Sequence, residues 1–196
     1  MKKLIKNFQL VAFAFLLSFL TSCVYSLFPI YTEDTLVFKS ELLGKWESKD
    51  DYIVFEQYKD GEVKENSSKT YRMTVKDQGK DDVKYIVHLV EIGNELFMDL
   101  YPIITYRGTK FGEDNVLPVH SFMKIDLKPK TMNIVFFDLD KLHKLFESNL
   151  IRIRHENVDG TILITAQPKE LQKFLEKYSK DESVYDYTET YTKFAS

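Results

Sequence analysis

Ser40-Glu41-Leu42-Leu43-Gly44-Lys45-Trp46-Glu47, residues 40–47, reads as a single helical turn that stops and a strand that starts. Ser40 is a side chain that caps the free N–H groups at a helix start, and Gly44 offers the unhindered backbone at which such a turn ends. Lys45-Trp46-Glu47 then alternates polar with apolar, as a strand with one buried face requires.

Downstream the alternation continues in short runs. Tyr52 to Tyr58 is β-branched and aromatic, and Asp60-Gly61 is a turn signal. In Thr70 to Lys76, Tyr71, Met73 and Val75 share one face while Arg72, Thr74 and Lys76 share the other. Val83 to Val90 is nearly continuous apolar apart from Lys84 and His88, Gly93-Asn94 turns the chain, and Glu95 to Tyr101 returns. That pair is the clearest hairpin in the chain. Residues 102–118, with Gly108 and Gly112, read as a long loop of the kind that is often functional. Val119 to Leu127 and Met132 to Phe137 form the next hairpin around Lys128-Pro129-Lys130.

Two helices interrupt the strands. Asp138 offers an N-cap to a run with Leu139, Leu142, Leu145 and Phe146 at helical spacing. Leu150 to His155 and Thr161 to Ala166 are expected to pair across Asp159-Gly160. Pro168 then opens a second helix whose stripe, Leu171, Phe174, Leu175 and Tyr178, must dock on something.

The short turn, Gly44-Lys45-Trp46 and the series of antiparallel strands resemble the Gly-x-Trp start of lipocalin-type barrels, which also carry an amphipathic helix near the C-terminus. The resemblance implies a mainly β fold, an antiparallel up-and-down barrel of about eight or nine strands with two short amphipathic helices. The helix after Asp138 departs from that pattern. Gly44 and Trp46 are then a structural signature, with Arg152 or Arg154 expected to stack over Trp46 as an arginine from a late lipocalin strand does. The resemblance also implies a cavity, for which Tyr85, His88, Met98, His120 and Phe122 are the candidate lining.

Upstream, Lys2, Lys3 and Lys6 precede an apolar run from Leu10 to Leu20 broken only by Ser18, the layout of a secretory signal. The run is shorter than the roughly 20 residues of a membrane-spanning helix. It closes on Leu20-Thr21-Ser22-Cys23, which resembles the bacterial lipobox. In that family the signal is cut before the cysteine and the cysteine is acylated. Residues 1–22 are therefore read as a lipoprotein signal peptide and Cys23 as the lipid attachment. The segment 23–35 becomes a lipidated tether, 36–182 the barrel domain and 183–196 an acidic, tyrosine-rich tail. Leu27, Phe28, Ile30, Tyr31 and Leu36 are too apolar for a free linker, so part of the tether is expected to pack on the domain.

Composition narrows the function. The chain carries a net charge of −3, and loss of the signal's three lysines takes it to −6, against the basic balance of a nucleic-acid binder. Cys23 is the single cysteine, so the domain has no internal disulfide and depends on packing, for which 15 Phe and 12 Tyr supply material. The sequence holds no Gly-x-Ser-x-Gly elbow, phosphate-binding glycine loop or His-Glu-x-x-His, and no metal or other cofactor is expected. His88, His120, His143 and His155 share no metal-ligand spacing. Arg152-Ile153-Arg154-His155-Glu156 is the densest charge cluster, read as one exposed strand face, and Asp138 with Asp140 as helix caps. Asn66-Ser67-Ser68 fits a glycosylation sequon that carries little meaning in a bacterial lipoprotein.

The expectation is thus a protein anchored in the cell envelope, in the outer membrane of a Gram-negative bacterium. Two roles stay open at this point. A hollow barrel would bind a small apolar or amphipathic ligand, whereas a filled one would serve as an accessory subunit of an envelope complex.

Overall fold

A computed structural model describes residues 24–49, 51–58, 67–77, 81–104, 117–148 and 151–194. Cys23, the signal segment, Asp60-Gly61, Asn66 and most of the 102–118 loop lie outside them. The strands are β1 (Val24–Ser26), β2 (Leu36–Val37), β3 (Gly44–Glu47), β4 (Asp51–Gln57), β5 (Thr70–Asp77), β6 (Val83–Ile92), β7 (Glu95–Pro102), β8 (His120–Leu127) and β9 (Thr131–Phe137). Helix α1 (Leu139–Glu147) follows, then β10 (His155–Val158), β11 (Thr161–Ile164), helix α2 (Pro168–Tyr178) and β12 (Tyr185–Lys193).

Strands β3 to β9 pair in chain order, and β12 closes the circuit between β9 and β3, giving a closed eight-stranded antiparallel barrel with two short helices. Closure removes the edges along which an open sheet would pair with other chains. The four remaining strands are satellites. β1 lies antiparallel to the first half of β8 and parallel to β11, β10 flanks β11, and β2 takes the edge of β6 at Leu89 and Val90.

Two cores share this wall. Inside the barrel, Trp46, Phe55, Tyr71, Met73, Val87, Leu89, Met98, Met132 and Tyr191 pack together. Outside it, Val90, Ile92, Phe97, Phe122 and Phe137 meet Val24 and Ile30 of the N-terminal segment, Phe146 of α1, and Leu171, Phe174 and Leu175 of α2. This explains the continuous apolar run of β6: Val87 and Leu89 face in, Val90 and Ile92 face out, and both sides are covered. The helices form where the sequence places them. Asp138 accepts the Lys141 N–H at 2.8 Å as N-cap of α1, and Pro168 occupies the first turn of α2.

The ends of the domain differ from the sequence reading. Val24, only 4% exposed, is already in the sheet, so residues from 24 onward form a strap on the barrel instead of a tether. Residues 185–193 are the barrel's closing strand and no tail. Ile151 turns into the outer core, and the strand expected from Leu150 starts at His155.

Candidate functional site

Trp46 sits at the closed end of the barrel, fully buried, with its indole N–H donating to the Leu42 carbonyl at 2.8 Å. The turn at Ser40–Leu42 therefore plugs the end of the barrel through a side chain of the strand it introduces. Gly44 links them at φ +113°, a backbone that an L side chain rarely adopts. The cation over Trp46 comes from β12: Lys193 Nζ stands 5.1 Å from the ring centroid, and Lys193 is the ladder partner of Trp46. Arg154 instead ion-pairs with Glu170 of α2 at 3.1 Å, and Arg152 is exposed. The expected arginine stack is absent because the strand beside β3 is β12, not the hairpin that follows Arg154. Tyr71 closes the same end, accepting the Lys39 N–H at 2.7 Å, and burial pushes its phenol up to about 12.

The five residues read as a cavity lining divide between the two faces of the wall. Tyr85 and Met98 point into the barrel, whereas Phe122 joins the outer core and His88 and His120 share its face. The ladder pairs decide this: Leu89 opposes Met98 inside, and His88 opposes Asp99 outside. Around Trp46 the interior is closely packed. Trp46, Tyr71, Val87, Leu89, Met98 and Met132 each expose none of their surface, so no water-sized space adjoins them.

On the outer face the strands assemble a polar cluster beneath the N-terminal strap. Thr70 of β5, His88 of β6 and Asp99 of β7 stand directly across from one another, and His120 of β8 is diagonal to Asp99. His88 Nε2 and Thr70 Oγ1 share a hydrogen bond at 3.1 Å, and the Tyr31 ring lies 4.3 Å from the imidazole. Burial lowers the His88 pKa to about 4, against the pull of Asp99, so the ring is neutral at pH 7. Asp99 is completely buried, with one carboxylate oxygen accepting the Ile30 N–H at 2.9 Å and the other 2.7 Å from His120 Nδ1. The strap is also gripped from α2, whose Gln172 amide donates to the Ile30 carbonyl and to Thr32 Oγ1, both at 3.0 Å.

An aspartate orienting a half-buried histidine is the arrangement that prepares a general base or a metal ligand. Here its visible work is structural, since the second oxygen of Asp99 ties down Ile30. Among the described residues no three histidine, cysteine or acidic side chains converge as a metal site would require. His143 faces Glu147 one turn on, and the His155 ring packs at a tilt against Phe146. A separate polar depression of about 590 Å³ is lined by Lys39, Glu95, Lys124, Asn133, Glu182 and Tyr185, and reaches Leu96 and Leu127 of the inner face. Lys124 there is already engaged by Glu95 at 3.0 Å and the Ser179 carbonyl at 3.3 Å.

The sequence reading missed Asp99, Thr70 and Tyr31. No helix among the described residues is long and apolar enough to cross a membrane. No family profile, curated protein or solved structure shows significant similarity to the chain.

Proposed function

We propose that this protein is a lipid-anchored component of the Gram-negative cell envelope, in the outer membrane, and that its barrel is a filled scaffold acting through its outer surface as an accessory subunit of an envelope complex. The observation that carries the choice between scaffold and carrier is the interior. A carrier needs a cavity of a few hundred Å³, and the side chains that would line it pack against each other instead. The lipobox at Leu20 to Cys23, after an apolar run too short to span, supports the anchor. More than one acyl chain on Cys23 would make attachment stable, at about 0.8 kcal/mol per buried methylene.

Two measurements test this reading. Labelled palmitate enters the wild type and not Cys23→Ala, and the variant leaves the membrane fraction; equal labelling removes the anchor. Titration of the chain expressed from Val24 with a fluorescent fatty acid gives only unsaturable uptake. Saturable binding at one site, weakened by enlarging Met98, would restore the apolar-ligand reading.

A further inference from the structure

We infer that the wall of the barrel where β1 enters is held directly against the bilayer, with the β10–β11 turn as the protein's contact with the lipid headgroups. The inference rests on acylation of Cys23. Cys23 is the residue bonded to Val24, so no linker residue separates the acylated cysteine from the strand. Val24 belongs to a strand occupied on both edges, paired with Phe122 on one side and, through Tyr25 and Leu163, with β11 on the other. Lifting it to create slack would break both ladders and uncover Ile30 and Phe122. A flexible linker of n residues lets a domain wander roughly 5–6 Å × √n from its anchor. Here n is zero, and the anchor fixes which wall faces the lipid.

The same registers say what lies beside the start of β1. β1 and β11 run parallel with Tyr25 level with Leu163, and two residues before Leu163 on β11 Thr161 pairs with Val158, so the β10–β11 turn stands at the end of the sheet where β1 begins. The turn between them, Asp159-Gly160, adopts φ 50° and 86°. A Cβ built on Gly160 would meet nothing within 4 Å, so the tip stands clear of the protein. Val158, 51% exposed, places a branched apolar side chain on that tip. Residues 155–166 include Glu156 and Asp159 and no lysine or arginine. The surface therefore suits zwitterionic headgroups met by an apolar side chain, not an anionic membrane drawn in by basic residues.

The acylated full-length protein provides the test, because its single cysteine is consumed by the lipid and an introduced one becomes the sole free thiol. Val158→Cys and Glu56→Cys are labelled with an environment-sensitive dye; Glu56 is exposed on β4, halfway round the barrel from β8. Each protein is reconstituted into phosphatidylethanolamine-rich vesicles containing a headgroup-region nitroxide lipid. The dye at 158 is expected to be quenched several-fold more than the dye at 56, with little change between low and high salt. Inserting about ten Gly/Ser residues between Cys23 and Val24 gives the chain tens of ångströms of reach and should erase the difference. Equal quenching at the two sites in an acylated protein overturns this inference alone. Loss of palmitate labelling at Cys23 overturns it together with the anchor.

Discussion

Asp99 shows how one residue joins the barrel to the strap that precedes it. It has no exposure, and its two oxygens are shared between the Ile30 N–H and His120. Removing the carboxylate orphans a buried backbone donor, at roughly 1–3 kcal/mol, while His120 can turn to water. Asp99→Ala is therefore expected to lower stability by about 2–4 kcal/mol in urea denaturation. Asp99→Asn, which keeps an acceptor for Ile30, should lie between it and the wild type; no loss in either variant would show the bond is idle. His88 adds a pH dependence. Its pKa falls from 6.5 to about 4 on folding because burial disfavours the charged ring. The unfolded chain thus binds the proton that the folded one refuses. The resulting stability is complete above pH 6.5 and is lost as pH drops toward 4, at about 3 kcal/mol in order of magnitude. His88→Gln should flatten the denaturation midpoint over that window, and an unchanged slope would place the titration elsewhere. The pairing itself was legible in principle. A two-residue turn at Gly93-Asn94 puts His88 across from Asp99 by counting back from the turn, and an acid alone in the apolar run Leu96 to Tyr101 marks a buried partner. What the count could not give was the face, because β6 is apolar on both sides and its period-2 signal vanishes.

At the scale of elements, the misread segments are the first and last strands, and both for physical reasons. β1 is three residues long and its partners, β8 and β11, lie about a hundred or more residues away, so no local pattern announces it. β12 turns Tyr187, Glu189, Tyr191 and Lys193 toward the interior side and threonines outward, without the apolar alternation of a core strand. The buried one of its two inward tyrosines reaches polar company: Tyr191 Oη donates to Asp51 at 3.3 Å, and Glu189 on the same face accepts from Ser48 at 3.3 Å. The helices, by contrast, were fixed by caps and stripes that act within a few residues. The strap gives this scale its prediction. A chain begun at Thr32 loses Val24, the fully buried Ile30 and the donor to Asp99, whereas one begun at Val24 keeps them. Burial of a Val- or Ile-sized side chain contributes about 1.5–3 kcal/mol. The shorter chain should melt at least several degrees lower in a calorimetric scan. Equal melting temperatures would mean the strap adheres without stabilising.

For the molecule as a whole, the sequence indicated a barrel and two helices but not that the wall serves two cores, since an apolar helix stripe says only that something must cover it. The structure makes the layers inseparable. Leu89 faces the barrel and Val90 the helices; Met98 and Phe97, and Met123 and Phe122, divide in the same way. Stripping α1 and α2 from the wall would expose one side of the strands whose other side holds the barrel together, and opening the barrel would remove the surface on which the helices rest. With both cores resting on shared hydrogen-bonded strands, the domain is expected to unfold as one unit. Trp46 is the chain's single tryptophan and lies in the barrel core, so its fluorescence follows that core, while far-UV ellipticity at helical wavelengths follows the outer layer. The two urea transitions should coincide in midpoint and slope. Helical signal lost at a lower urea concentration than the tryptophan signal would mark the outer layer as a separate cooperative unit, with the barrel standing without it.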